Sequence, residues 1–217
     1  MSMPWNTPEV VARFSVSSGN TVLQAFAEKE FKNRQSHQAL DIGCGAGSNA
    51  IPLARIGWNV TGLDLAPRMV EAATQRAKAE ALADKTSFRL APMDLLPIED
   101  QSQDMVIAHG IWNLAASGKE FRAGVQEAAR VARPGAALFV FTFSRKTIPE
   151  TCIPVDGETF VFTEFADRPQ CFLSQEQLIE EMKAAGFEQK PGQPITEYPQ
   201  IPGMPKPALL EGVFRRR

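Results

Sequence analysis

Apolar and polar positions of the chain fall into blocks that predict strands and helices in turn. Apolar runs of about four to eight residues, bounded by glycine, proline or polar residues, are typical of buried strands. Between these runs, apolar residues recur every three or four positions, as they do on one face of a helix. Strands that alternate with helices predict an α/β fold with a mostly parallel sheet and helices on both faces.

The predicted elements follow from apolar runs, capping residues and periodicity. The strands are 39–42, 58–64, 86–91, 104–109, 137–143, one that begins at Phe187 and a last one over 208–215. The helices are 21–34, 49–56, 67–83, 117–131 and 174–185, preceded by a short helix whose cap is Thr7.

Residues 144–171 interrupt this regularity, because prolines and a glycine break up the stretch. A connection of this length predicts a functional lid or an insertion that covers the substrate. Its aromatic residues Phe160, Phe162 and Phe165 are spaced for an added hairpin.

The first strand stops at three glycines on alternate residues, Gly43, Gly45 and Gly47. Glycine has no Cβ atom, so such a loop can adopt positive φ and let a ligand approach the backbone closely. Ser48 is placed to cap the next helix, whose first N–H groups favour a polar or anionic ligand group. This stretch predicts a ligand-binding loop, and taken alone it leaves open a structural turn without a ligand.

The spacing of this loop distinguishes between cofactors. A dinucleotide fingerprint has the form G-x-G-x-x-G, and Ser48 stands where its third glycine would be. With Asp41 ahead of it, Asp-Ile-Gly-Cys-Gly-Ala-Gly instead resembles the first motif of the class I S-adenosylmethionine-dependent methyltransferases. The resemblance implies that Asp41 and the loop, including Cys44, contact S-adenosyl-L-methionine, and that S-adenosyl-L-homocysteine is a product.

Asp64 ends the second strand, 21 residues after Gly43. At an offset of roughly 20 residues, nucleotide-binding α/β folds place a carboxylate that accepts hydrogen bonds from the ribose hydroxyls. The alternative for Asp64 is a helix cap ahead of Pro67. We predict the ribose role, and the resemblance implies that Leu65 and Met69 cover the ribose and the adenine.

The segment after the third strand, Pro92-Met-Asp-Leu-Leu-Pro97, resembles the adenine-recognition stretch of the same family. The resemblance implies that Asp94 binds the adenine amino group and that Met93 and Leu95 flank the purine. The polarizable sulfur of Met93 suits contact with an aromatic ring. An exposed acid in a strand-end turn is the alternative.

The acceptor site is expected at the carboxyl end of the fourth strand, because ligands of open α/β sheets bind at that edge. His109 ends this strand, and an imidazole with a pKa of about 6.5 suits a general base. A histidine that only shapes the pocket is an equal alternative. The predicted acceptor-binding side chains are Trp5, Phe14, Trp112, Asn113 and Phe143. Core packing is the alternative for Trp5, Phe14 and Trp112.

The phrase Val131-Ala-Arg-Pro-Gly135 before the fifth strand also resembles this family, so the resemblance spans roughly residues 39–143. It implies a Rossmann-like sheet of seven strands whose last strand is antiparallel and lies between strands five and six. We expect one domain over 1–217, with four parts: an N-terminal helical cap (1–36), a cofactor-binding core (37–143), a lid insertion (144–172) and a C-terminal helix with strands (173–217).

Composition narrows the classes of function. A chain of 217 residues, 44% hydrophobic and 22% charged, fits one compact domain, and a net charge of −2 argues against binding to nucleic acid. Its three cysteines have no metal-like spacing and predict neither a disulfide framework nor a metal site. No secretion signal and no run of about 18 apolar residues is present, so we expect a cytoplasmic monomer or homodimer that does not bind membranes.

These observations predict an enzyme that transfers a methyl group from S-adenosylmethionine to an oxygen, nitrogen or sulfur nucleophile of a small molecule. Catalysis by in-line displacement would rest mainly on positioning and dehydration, with His109 as the candidate base. One alternative is a non-catalytic regulatory or partner protein that binds the same cofactor. A nicotinamide-dependent dehydrogenase is a third hypothesis, which the spacing of the glycines in the loop disfavours.

Overall fold

A computed structural model describes residues 4–164, 168–190, 192–200 and 207–217. Its helices, apart from single-turn 3-10 segments, are α1 Pro8–Ser15, α2 Thr21–Lys32, α3 Ala50–Ile56, α4 Pro67–Ala79, α5 Gly118–Val131 and α6 Gln175–Ala184. Its strands are β1 Gln38–Ile42, β2 Asn59–Asp64, β3 Thr86–Leu90, β4 Gln103–His109, β5 Ala132–Phe143, β6 Val161–Phe162, β7 Gln170–Cys171, β8 Phe187–Gln189, β9 Thr196–Tyr198 and β10 Leu209–Arg216.

The main sheet has the strand order β3-β2-β1-β4-β5-β10-β8, and β9 pairs with β10 beside it. The pairs from β3 to β5 are parallel, whereas β10 runs antiparallel to both β5 and β8. The predicted α/β class, the mostly parallel sheet and the antiparallel last strand between its neighbours are therefore confirmed. The short strand β9 is an addition to the predicted seven.

The central strands are buried on both faces, which explains why their sequences are apolar runs without alternation. Leu40 and Val106 belong to the core under α5 and α6, while Ala39 and Ile107 belong to the core under α2 and α3. Full burial of a leucine, valine or isoleucine side chain of this kind contributes about 1.5 to 3 kcal/mol to folding. Two layers of helices thus hold the carboxyl ends of β1, β2 and β4 at one sheet edge.

Three local predictions are corrected by the structure. Helix α4 ends at Ala79 and not at 83, because Ala81 takes a φ of 55° that a helix cannot continue. Ser48 does not cap α3; its hydroxyl donates to the Phe14 carbonyl oxygen at 3.1 Å. Strand β5 begins at Ala132, ahead of the predicted 137, because the expected turn is a bulge inside the strand, between the residues opposite Gln103 and Met105.

The insertion forms the two-stranded antiparallel ribbon β6–β7, as its aromatic spacing predicts. Phe160 and Phe162 are buried, and the Phe160 ring lies 5.2 Å from the Phe121 ring of α5. Phe165 lies outside the described residues. Among the described helices, none combines the length and apolar character needed to cross a membrane.

Candidate active site

The glycine loop is fixed beneath the end of β2 by backbone hydrogen bonds. The N–H groups of Gly43 and Cys44 both donate to the Leu63 carbonyl oxygen, at 2.7 and 2.9 Å. Gly43, Gly45 and Gly47 have φ values of 71°, 52° and 77°. This left-handed backbone is one that side chains with a Cβ atom disfavour, which explains the alternate glycines.

Space around the loop separates the roles of two of these glycines. A Cβ atom on Gly47 would lie 3.1 Å from Ile51, so this glycine allows α3 to pack closely and does not line the main cavity. A Cβ atom on Gly45 would lie 3.5 Å from the Phe14 ring, on the cavity side of the loop. Gly45 is therefore the glycine whose backbone a ligand can approach.

The Asp64 carboxylate ties this loop to the start of α4. One oxygen accepts from the Gly45 N–H at 2.9 Å, and the other accepts from the Ala66 N–H at 2.8 Å. Burial raises the pKa of Asp64, and these backbone hydrogen bonds oppose the shift. Because a carboxylate offers about four lone-pair sites, both oxygens keep acceptor capacity toward the cavity.

Asp41 lies behind the loop and does not line the cavity. Its carboxyl group is 1% exposed, and neither oxygen has a hydrogen-bond partner among the described residues. Burial and the negative charge of Asp64 raise the pKa of Asp41 to about 8. The Cys44 thiol is also buried, and burial together with the same two carboxylates raises its pKa well above the ordinary value.

A cavity of 430 Å³ opens at this sheet edge, between the glycine loop, the start of α4 and the N-terminal residues. The predicted site residues that line it are Trp5, Phe14, Gly43, Gly45, Asp64, Leu65, Met69, Met93, Asp94 and His109. The Trp5 and Phe14 rings contact edge to face at 6.1 Å beside the loop. Residues predicted from five separate segments thus meet around one space.

Other predicted site residues lie away from this cavity. Leu95 is 72% exposed and turned from the wall, while Trp112 and Asn113 are buried beneath α5. Trp112 contacts the Phe121 ring at 6.0 Å, so core packing accounts for it. Phe143 stacks on Phe172 at 5.5 Å and not on the cavity wall.

The described part of the insertion also contributes nothing to the cavity wall, because its aromatic side chains are buried in the core beside α5 and β5. The wall instead contains residues that the sequence reasoning missed, and among these Phe141 has an aromatic side chain and Glu120 an ionisable one. Phe141 is two residues before Phe143 on β5, so the alternation of the strand carried a signal for it. Glu120 carried none, since its carboxylate accepts from the Ala116 N–H as an ordinary helix-start contact.

The surroundings of His109 define its protonation. Asn20 is the N-cap of α2, and its side-chain oxygen accepts from the N–H groups of Val22 and Leu23, at 2.8 and 3.1 Å. Its amide nitrogen therefore points away from the helix, donates to Glu211 at 2.7 Å and lies 3.3 Å from His109 Nε2. This geometry assigns Nε2 as the acceptor and the proton to Nδ1.

Burial lowers the pKa of His109 to about 4, so the ring is neutral at pH 7. The ring also stacks on Phe141, with centroids 4.2 Å apart and planes 4° apart. A neutral imidazole whose lone pair already accepts a hydrogen bond is a weak proton acceptor. Within the described ranges, no group of three or more His, Cys, Asp and Glu side chains is arranged to hold a metal ion.

Comparison with known proteins agrees with this geometry. Residues 40–140 match the family model of a methyltransferase domain. The chain is 31% identical over 123 residues to the ubiquinone/menaquinone biosynthesis C-methyltransferase of Geotalea daltonii. This alignment covers 55% of this chain and 51% of the relative. It is 32% identical over 150 residues to the ubiquinone biosynthesis O-methyltransferase of Methylocella silvestris, which covers 67% of this chain and 56% of the relative.

A solved structure shares the fold. The 1,6-didemethyltoxoflavin-N1-methyltransferase of Burkholderia thailandensis, with 1,6-didemethyltoxoflavin and S-adenosylhomocysteine bound, gives a TM-score of 0.67 at 17% identity and covers 89% of this chain and 76% of that chain. The chain spans about half the length of the curated relatives it matches. The family model thus identifies residues 40–140 as a methyltransferase domain, and the strand order and the glycine loop agree with the resemblance of the chain to the class I S-adenosylmethionine-dependent methyltransferases.

Proposed function

We propose that the chain binds S-adenosylmethionine in the 430 Å³ cavity and methylates a small molecule. The observation that carries this proposal is the convergence of the Gly45 backbone, the Asp64 carboxylate and the Met69 side chain on one space at the sheet edge. Carboxyl ends of strands at a switch point are where open α/β sheets bind their ligands.

The donor set of this wall fits an adenosine group. Asp64 retains lone pairs that can accept from ribose hydroxyls, and Asp94 lies on the same wall to accept from an adenine amino group. Leu65, Met69 and Met93 supply the apolar surface that a purine ring needs. Gly45 leaves the loop backbone open to the ligand.

When bound, S-adenosylmethionine would supply a methyl carbon on a sulfonium. An acceptor lone pair would form the new bond as the carbon–sulfur bond breaks and S-adenosylhomocysteine leaves, and an acceptor atom that carries a proton would lose it to water. The chain's own contribution is to hold the two molecules in line and to exclude water. Trp5 and Phe14 do so from the N-terminal segment, and His109 with Phe141 forms a stacked wall opposite.

His109 serves in this proposal as a fixed wall residue and not as the proton acceptor. A pKa of about 4 and a lone pair directed at Asn20 both oppose a base role. The acceptor must then be a nucleophile that loses its proton to water or carries none. The printed names of the similar proteins include methylation at carbon, oxygen and nitrogen, so the acceptor atom is a separate question.

Two measurements test this function. Isothermal titration should show stoichiometric binding of S-adenosylhomocysteine and no binding of NADH. Mass spectrometry should then detect transfer of a deuterated methyl group from labelled S-adenosylmethionine to members of a panel of small amines, phenols and thiols. Binding without transfer to any acceptor would favour a regulatory protein, and binding of NADH alone would contradict the proposal.

A further inference from the structure

We infer that Glu211 and the rings of Phe141 and Tyr198 form a subsite for a protonated amine of the methyl acceptor. This inference rests on the proposed function for its link to methyl transfer, but the subsite has its own binding test. It consists of a cavity of 270 Å³ on the β9–β10 side of the sheet, bordered by these three residues and by Asn20.

The Glu211 carboxylate is the first support. It is 6% exposed and accepts hydrogen bonds from Asn20 Nδ2 at 2.7 Å and from the Tyr198 hydroxyl at 3.0 Å. Among the described residues, no lysine, arginine or histidine forms an ion pair with it. A buried carboxylate held only by neutral donors lacks the cation that normally offsets its desolvation.

Glu30 shows the contrast within the same molecule. Glu30 has a similar exposure of 7%, yet it pairs with both Arg34 and Arg215. Glu211 faces a cavity where Glu30 faces two guanidinium groups. The position of the missing cation is therefore the cavity itself.

Two aromatic rings are the second support. The Phe141 and Tyr198 rings border the cavity with centroids 6.5 Å apart and planes inclined by 49°. An ammonium group gains from the faces of such rings as well as from a carboxylate. Proline and leucine side chains complete an apolar wall, so the cavity suits an organic amine better than a hydrated metal ion.

The position of the cavity links it to methyl transfer. Phe141 borders the main cavity and this one, and Asn20 joins Glu211 to His109 on the wall of the main cavity. An acceptor held by its ammonium group at Glu211 can extend past the Phe141 ring toward the glycine loop. The subsite would select acceptors that carry a cation remote from the methylated atom.

The test compares 2-phenylethylamine, which is protonated at pH 7, with the neutral 2-phenylethanol. Isothermal titration is performed on the full chain with and without saturating S-adenosylhomocysteine. We expect the amine to bind at least about tenfold more tightly than the alcohol. Glu211→Gln should abolish this preference. The control is Glu197→Gln on β9, which should retain the preference because the Glu197 carboxylate pairs with Lys146.

Tyr198→Leu provides a second variant, because Tyr198 is partly exposed and its replacement spares the core. It should weaken the amine at least about threefold. Equal binding of amine and alcohol to the wild type, or an unchanged preference in the folded Glu211 variant, would overturn the subsite. If the wild-type chain does not bind S-adenosylhomocysteine, the proposed function is contradicted, whereas the comparison of amine and alcohol binding still tests the subsite.

Discussion

Two regions meet at the sheet edge, and they differ in how far apart along the chain their residues lie. In the glycine-loop region, Gly45 and Asp64 are hydrogen-bonded across 19 residues, within one β-α-β unit. In the region around His109, Asn20 is hydrogen-bonded to His109, 89 positions away along the chain, and to Glu211, 191 positions away. The first region is formed by residues close together in the sequence, whereas the second forms only when the start of α2, β4 and β10 come together.

This contrast has a functional meaning. A site contained in one β-α-β unit can keep the same cofactor in many proteins, since few distant residues affect it. A site assembled from remote segments changes when any one of those segments changes. We therefore propose that the glycine-loop region binds the cofactor and that the region of Asn20, His109 and Glu211 selects the acceptor.

The largest effect is expected from Gly45→Val, which should reduce S-adenosylhomocysteine binding below detection in isothermal titration. A β-branched side chain there enters the ligand's space and opposes a φ of 52°. Gly135→Val is the matched control, because Gly135 also has positive φ, at 77°, but has open space around it outside the cavity. Ligand binding by the Gly45 variant at wild-type strength would remove the loop from the cofactor site.

Asp64→Ala should weaken S-adenosylhomocysteine by about 1.5 to 3 kcal/mol, the range for a hydrogen bond to a charged group. Asp104→Ala is the control, since Asp104 is also largely buried but binds Arg133 at the opposite end of the sheet. That control should lose thermal stability and keep its ligand affinity. If Asp64→Ala instead loses thermal stability and keeps its ligand affinity, Asp64 is a structural residue only.

Asp41→Asn should raise the free energy of unfolding of the ligand-free protein by about 2 to 4 kcal/mol at pH 7. The folded-state pKa of about 8 lies above the unfolded value, so the contribution of Asp41 to stability falls as the pH rises from 4 to 8. The variant should lack this loss. Urea denaturation of the variant and the wild type at several pH values measures this difference, and a gap in unfolding free energy that does not widen from pH 4 to 8 would contradict the buried, protonated carboxyl.

The smallest effect is expected from His109→Gln, which should lower turnover by less than about tenfold, where loss of a general base would cost roughly 10² to 10⁴. The folded-state pKa of about 4 lies below the unfolded value, so His109 adds stability above pH 6.5 that is lost as the pH falls toward 4. Nitrogen NMR of the chain, which has two histidines, measures the pKa of His109 directly. A ring that titrates near pH 6.5 would restore the base hypothesis.

The sequence was most informative where the physics is local. Alternate glycines require a left-handed loop, and an acid at the end of β2 must lie beside that loop because parallel neighbours end at one edge. Trp112 and Phe143 show the limit, because an aromatic residue near a strand end packs inward or lines a cavity depending on neighbours far along the chain. Glu211 was beyond reach for the same reason, since its partners are Asn20 and Tyr198.

The assignment of cofactor binding to the glycine-loop region is tested most directly by a crystal structure of the chain with S-adenosylhomocysteine. We expect the ribose hydroxyls within hydrogen-bond distance of Asp64, the purine against Met69 and Met93, and the Asn20–Glu211 contact intact beside it. A ligand seated in another cavity, or a ribose without contact to Asp64, would contradict this assignment.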